Sequence, residues 1–367
     1  MSIRKIYNVI GIMSGTSMDG LDCSYVKTNG CDYIKILSEK SYKYSDKYRI
    51  KLKEIVKLYS TNEKKINFLQ NDDFVTKKLI EIIIQFIKEY KIRKSSIDYI
   101  GLSGQTVFHD PKNKITIQLG SCRELQKKLN IKVIGKFREN DIKNGGQGAP
   151  IGAYYHKYII NKFSKKSAIL NIGGISNITF IQDNELIAYD IGPGNSLIDD
   201  LTYNFYNKNF DNKGHYAFKG KCNKKIIEKF TKDPFFKLNY PKSLDREYFK
   251  KYYKSLKKLE KNDSICTATK MTIEAILLGI ELSNLKFENL ILTGGGRKNL
   301  YIIKYLEKSL KKNKIKLIKI DKLNFNGDML ESQAFAYIAV RCLLKLPISS
   351  PFTTGVIKEL TGGKVFN

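Results

Sequence analysis

The sequence predicts an α/β protein made of two halves that share one plan. A strand, a glycine-rich turn, a strand, a turn and a strand occupy residues 3 to 42, and the same order recurs at 168 to 195. Amphipathic helical stretches follow each run. At 367 residues the chain is long for one hydrophobic core, so a duplicated half is the economical reading.

Taken in order, Ile3 to Ile12, Leu21 to Thr28 and Tyr33 to Tyr42 read as consecutive antiparallel strands. From Asp46 to Tyr59 and from Glu63 to Ile92, apolar residues such as Leu79, Ile82, Ile83 and Phe86 recur at helical spacing among lysines. A strand, Ile97 to Leu102, leads into Ser103-Gly104-Gln105-Thr106, and Ile115 to Leu119 reads as another strand. After a helix, Arg123 to Leu129, and a strand, Ile131 to Ile134, the run Phe137 to Pro150 (FRENDIKNGGQGAP) reads as a loop entering a helix. Such a loop is compatible with ligand binding or with simple chain reversal. Ala168 to Ile181 gives strand, turn, strand, and ELIAYDIGPGN ends at Asn195. Helices then dominate, among them Ile265 to Leu285. The strand Leu290 to Thr293 runs into Gly294-Gly295-Gly296, with helices at Leu300 to Leu310 and Asp328 to Leu344. The expected domains are 1–130 together with the tail from about 346 to 367, and 131–345.

Composition narrows the function classes. The net charge of +29 invites a nucleic-acid reading, but only eight of the 65 basic residues are arginine and the lysines spread along the whole chain. With no Arg or aromatic stripe, nucleic acid is not the expected partner. No apolar run reaches membrane-spanning length, and MSIRKIYNVIGIMSG is broken too early for a leader or anchor. The six cysteines form no CxxC pair and fit reduced thiols in a cytoplasmic protein. His109, His156 and His215 are too scattered for a zinc site.

The chemistry gathers at glycine turns. Gly11 to Asp22, GIMSGTSMDGLD, places three glycines, the Ser14, Thr16 and Ser17 hydroxyls and two carboxylates between two strands. Backbone N–H groups and hydroxyls at such a tip suit an anion, though an ordinary hairpin turn has the same look. Leu21-Asp22 stands where a Walker A loop needs Lys-Ser/Thr, so the P-loop reading fails. An acid there suits phosphates neutralised by hydrated magnesium. Gly173 to Asn177 with Asp190 to Asn195, and Gly294 to Gly296, are two further glycine turns at strand ends.

The strings GIMSGTSMDGLD, GQTVFH, GGQGAP, LNIGGISNIT, DIGPGN, PKSLDRE, TGGG and ESQAFAYIA, in this order, resemble the anhydro-N-acetylmuramic acid kinases over essentially the whole chain. These belong to the superfamily of acetate and sugar kinases, heat-shock chaperones and actin. The resemblance implies two RNase H-like, actin-like ATPase domains with mixed sheets flanked by helices and an ATP cleft between them. It implies ATP and Mg2+ as cofactors, an amino sugar as substrate and a homodimer. Direct metal ligands are not assigned.

Carried over by position, the resemblance implies nucleotide contacts at Gly15, Thr16, Ser17, Met18, Asp19, Gly20, Leu21 and Asp22, at Gly173 and Gly174, and at Gly294, Gly295 and Gly296. Asp190 matches the catalytic carboxylate, and Gln105, Thr106, Arg138, Asp141 and Glu331 fall in motifs lining the sugar site. The implied reaction opens the 1,6-anhydro ring with water and phosphorylates O6, giving N-acetylmuramate 6-phosphate and ADP in peptidoglycan recycling. A plain sugar kinase, and a nucleotide-switched binding protein, are the alternatives. The chain departs from the family pattern at Ser103, where His is usual, at Lys136, where Asp is usual, and at Leu244-Asp245, where Thr-Gly is usual. Lys136 reverses a charge close to the expected sugar site.

Overall fold

The computed structural model describes residues 4–15, 18–60, 67–245, 247–282 and 287–367. In chain order the elements begin β1 (Tyr7–Ser14), β2 (Gly20–Thr28), β3 (Ile34–Lys43), α1 (Asp46–Ser60), α2 (Phe68–Glu89), β4 (Tyr99–Asp110), β5 (Ile115–Leu119), α3 (Cys122–Leu129), β6 (Val133–Gly135), α4 (Glu139–Lys143) and α5 (Ala153–Phe163). They continue as β7 (Ser167–Ile172), β8 (Ile175–Gln182), β9 (Glu185–Pro193), α6 (Ser196–Tyr206), α7 (Lys224–Thr231), α8 (Tyr253–Lys257), α9 (Lys261–Leu282) and β10 (Asn289–Thr293). The last are α10 (Leu300–Leu310), β11 (Lys316–Lys319), α11 (Leu330–Leu343) and β12 (Lys364–Phe366). The expected α/β class is observed as two mixed sheets flanked by helices. No helix among the described residues is long and apolar enough to cross a membrane.

The chain divides into two compact units, 1–158 with 329–367, and 159–328. This moves both boundaries read from the sequence. Residues 131–158 stay with the first unit because β6 pairs in parallel with β4, and β12 returns to pair antiparallel with β6. Residues 329–345 stay there because α11 packs on the same sheet.

In the first unit the sheet order is β12-β6-β4-β1-β2-β3, with β5 also paired to β4. Strands β1, β2 and β3 form the expected antiparallel meander, and β4 lies parallel to β1. Alternation along β1 sends Ile10 and Ile12 into a core completed by Leu52 and Ile55 of α1, Leu79, Ile83 and Phe86 of α2, and Leu125 of α3. Gly11 points to the opposite face, where a Cβ would stand 1.9 Å from the Ser332 carbonyl of α11. A Cβ at Gly101 of β4 would stand 2.5 Å from the Phe335 carbonyl. Both glycines let the helix lie against the backbone of the sheet.

Strand β4 does not end at Leu102 as expected. It runs on through Gln105 and Thr106 to Asp110, since β5 offers an antiparallel partner beyond Gly104. The stretch from Phe137 also contains a short helix, α4, rather than loop alone.

The second unit repeats the meander as β7-β8-β9 and adds β10 and β11 in parallel on the far edge, in the order β11-β10-β7-β8-β9. Leu170, Ile172, Ile178 and Tyr189 of this sheet pack with Met271 and Ile276 of α9 and Ile302 and Leu306 of α10.

Candidate active site

In the second unit, Asp190 lies near the end of β9 and is 8% exposed. Asn177 of β8 faces Asp190 and Ser176 faces Gly192, so Ile191 is an extra residue and the strand bulges beside the carboxylate. Such bulges re-aim side chains. The 241–245 loop fixes it further: the Leu244 N–H donates to Asp190 Oδ2 at 2.8 Å, and the Asp190 N–H donates to the Lys242 carbonyl at 2.9 Å. The Leu244-Asp245 departure thus sits at the carboxylate, and Asp245 Oδ1 accepts the Glu247 N–H to close the turn that follows.

Lys242 was not singled out from the sequence. Its buried Nζ donates to the Phe235 carbonyl at 3.2 Å and lies 4.5 Å from the centre of the Phe235 ring. Burial pushes this ammonium down to about 8. Because the unfolded chain keeps its proton to about pH 10.4, stability contributed at this position rises between pH 8 and 10. Wild type is therefore expected to gain on Lys242→Met in thermal unfolding as pH goes from about 7 to about 9.5. An unchanged gap would contradict this.

The two glycine turns beside Asp190 are stitched together. The Asn195 N–H donates to the Gly173 carbonyl at 2.7 Å, and the Gly194 N–H to the Gly174 carbonyl at 3.0 Å. A Cβ on Gly194 would lie 2.2 Å from the Gly173 carbonyl oxygen, and Thr272 of α9 holds the Gly194 carbonyl from behind at 2.7 Å. The third turn closes on the same strand end: Gly294 has φ 73°, and a Cβ on Gly296 would meet Ile172 Cγ2 at 2.2 Å.

Arg297 anchors that third turn. Its Nη1 donates to the Gly294 carbonyl and to Asp328, while Nε and Nη2 grip Asp321 in a fork. The Arg297 hydrogen bonds hold the Asp321 carboxyl down at about 2. For Asp328, burial pushes upward, but Arg297 and Lys298 outweigh it and leave the carboxyl below its ordinary value.

Not every glycine here is a packing glycine. A Cβ on Gly174 would have its nearest neighbour at 4.0 Å, on Gly295 at 3.8 Å and on Gly173 at 3.4 Å. Their main chain is bare where Gly194, Gly294 and Gly296 are covered. A cradle that side chains would fill fits a flat or anionic ligand.

In the first unit, the Met18 N–H closes the tip onto the Gly15 carbonyl at 3.1 Å, with Met18 at φ 54°. Thr16 and Ser17 lie outside the described residues. Asp19 gives its carbonyl to the Tyr44 N–H. Leu21 is a core residue, and a Cβ on Gly20 would press on the Tyr42 carbonyl at 2.5 Å. Of these two, the side chain of Leu21 is spent on packing and the glycine at 20 admits the neighbouring strand.

Ser14 Oγ donates to Gln105 Oε1 at 2.5 Å and touches the Tyr44 hydroxyl at 3.1 Å, and the Ser14 N–H reaches Ser103 Oγ at 3.4 Å. Gln105, 1% exposed, therefore braces the tip against β4, with half-buried Thr106 following it.

The GGQGAP loop is clamped by three groups. Asp141, 1% exposed, accepts the Gly148 N–H and the Thr354 hydroxyl; Arg138 donates to the Gly148 carbonyl; and His109 Nε2 lies 3.0 Å from the Gln147 carbonyl.

Glu331, on the first turn of α11, keeps solvent access, yet surrounding protein raises its carboxyl while Arg138 works in the opposite sense. Its neighbours Ser332 and Gln333 are fully buried pins, to Ser24 and to Glu39 and Tyr155. Lys136, at φ 62°, reaches Glu139 at 3.6 Å, and Glu139 also binds Lys364. The reversed charge is balanced within its own surroundings.

Among the described residues no group of three or more His, Cys, Asp or Glu side chains gathers as a metal centre. A magnesium ion carried by phosphates needs only one or two carboxylates, and Asp19 and Asp22 near the tip are of the right type.

A family model described as anhydro-N-acetylmuramic acid kinase matches residues 7–367. The chain is 35% identical over 365 residues to the anhydro-N-acetylmuramic acid kinase of Zymomonas mobilis, covering 97% of this chain and 98% of that protein. It is 35% identical over 364 residues to that of Rhodopseudomonas palustris, with the same coverages. Among solved structures, component A of the (R)-2-hydroxyglutaryl-CoA dehydratase of Acidaminococcus fermentans superposes with a TM-score of 0.46 at 12% identity, covering 91% of this chain and 99% of that one.

Proposed function

The chain belongs to the anhydro-N-acetylmuramic acid kinase family, and from that premise we propose that it opens the 1,6-anhydro ring of 1,6-anhydro-N-acetylmuramic acid with water and phosphorylates O6 with ATP. N-acetylmuramate 6-phosphate and ADP would leave, as a step of peptidoglycan recycling in the cytoplasm. The observation that supports this best is the buried Asp190, steered by the Leu244 N–H, on the same strand end that carries Gly192 and Gly194 into the glycine turns.

Asp190 takes a proton from the water that attacks the anomeric carbon. The C1–O6 bond breaks as O6 bonds to the γ-phosphorus, and the bond from that phosphorus to ADP breaks. An ordinary glycosidase needs a second carboxylate to protonate the leaving oxygen. Here phosphorus captures O6, so one base suffices. Magnesium, when bound with ATP, would neutralise phosphate charge, with Asp19 or Asp22 as its protein partners.

The bare main chain at Gly173, Gly174 and Gly295 is read as the second unit's nucleotide surface; in the first unit, the 15–22 turn is read as a phosphate-binding segment on the family resemblance alone. Gln105 and Asp141 are read as supports that hold the tip and the GGQGAP loop, leaving Thr106, Arg138 and Glu331 for the sugar. A homodimer, implied by the family resemblance, is tested by sedimentation.

Purified protein supplied with ATP, magnesium and the anhydro-sugar is expected to form ADP and sugar 6-phosphate in equal amounts, with little ADP when the sugar is left out. Slow ADP formation indifferent to the sugar would favour a nucleotide-switched binding protein.

A further inference from the structure

Cys222 and Cys266 play no part in the reaction above, yet they lie together. Their Sγ atoms are 2.6 Å apart, about half an ångström beyond a disulfide bond. The Tyr301 hydroxyl, on the first turn of α10, lies 3.4 Å from one sulfur and 3.3 Å from the other. Cys266 is buried in α9, whereas Cys222 is half-buried and within reach of a small oxidant.

The backbone on either side of Cys222 is already pinned to the same helix. The Lys221 N–H donates to Asp263 Oδ1 at 2.6 Å and the Asn223 N–H to Thr267 Oγ1 at 3.0 Å. Joining the sulfurs asks only for a side-chain adjustment.

We propose that Cys222 and Cys266 are a reversible thiol-disulfide couple, oxidised by small disulfides of the glutathione type, that cross-links the 221–223 segment to α9. The Cys222 thiolate attacks one sulfur of oxidised glutathione, breaking its S–S bond and releasing one glutathione thiolate. The Cys266 sulfur, losing its proton to solvent, then attacks Cys222, forming the protein disulfide and releasing the second glutathione thiolate. Two electrons pass from the protein thiols to the glutathione disulfide, and two glutathione thiols result.

Hydrogen bonding by Cys266, helped by Tyr301 and opposed by burial, brings the Cys222 thiol down to about 7. Burial instead raises Cys23, Cys122 and Cys342. The thiolate form attacks, so the chemistry is directed to Cys222.

The test equilibrates the full chain with mixtures of reduced and oxidised glutathione, quenches in acid, alkylates the unfolded protein and maps cysteine peptides by mass spectrometry. Expected is a linked Cys222–Cys266 peptide while the other four cysteines alkylate. Oxidised protein is also expected to melt at least a few degrees higher, because the cross-link closes a long loop. Cys266→Ser should hold glutathione on Cys222, and Cys222→Ser should leave Cys266 alkylatable. Six alkylatable thiols in wild type at every ratio, or glutathione resting on Cys222 with Cys266 still alkylatable, would overturn the proposal. None of these outcomes depends on kinase activity.

Discussion

Asp190→Asn is expected to lower turnover by about 10³-fold while ATP affinity stays within roughly a factor of three, the usual size of a lost general base. The substitution keeps the shape, and an amide oxygen can still accept the Leu244 N–H that holds Oδ2 at 2.8 Å. What it removes is the negative charge able to take a proton from water. A thousandfold loss is about 4 kcal/mol of transition-state stabilisation. Steady-state kinetics and a nucleotide-binding titration on the same preparation check both halves. Near-normal turnover would remove Asp190 from its role, and lost nucleotide binding with normal melting would recast it as part of the nucleotide cradle.

Arg297→Met is expected to cost about 3 kcal/mol of stability and to weaken ATP binding at least tenfold. The Arg297 side chain is 3% exposed and serves Asp321, Asp328 and the Gly294 carbonyl. Truncating one member of such a network strands the others. Asp321 and Asp328 each keep 46% exposure, so water recovers part of the loss, which places the cost at the low end of the usual range. The nucleotide effect follows from releasing the Gly294 turn. Arg297→Lys should rescue little, since an ammonium cannot reproduce the fork onto Asp321. Denaturant melts and ATP titration of both variants check this. A loss below about 1 kcal/mol would show that the network does not brace the turn.

Much of this was legible in the sequence where the signal is local. Strands β1, β2 and β7 to β9 are short apolar-rich runs bounded by turn residues, and α2 carries a clear apolar stripe. Asp190 was singled out by the resemblance of DIGPGN to the family motif, and its hydrogen bond from the Leu244 N–H was not legible there. What failed depended on partners distant in the chain. Gly104 punctuates a strand in sequence, but β5 keeps the pairing going past it. Gly11 and Gly20 look like residues freeing backbone for an anion, whereas a Cβ there would meet the Ser332 and Tyr42 carbonyls. Arg297 sits directly after the three glycines, but its partners lie in stretches with no motif. Lys242 was visible only as part of PKSLDRE. Its role as the acceptor for the Asp190 N–H comes from a loop folding back on a strand end.

Single-turnover reaction in oxygen-18 water, with ATP, magnesium and the anhydro-sugar, tests the coupling of ring opening to phosphoryl transfer most directly. The account predicts one solvent oxygen at C1 of the sugar 6-phosphate and none in its phosphoryl group. Product carrying no label at C1, or label in the phosphoryl group, would contradict it.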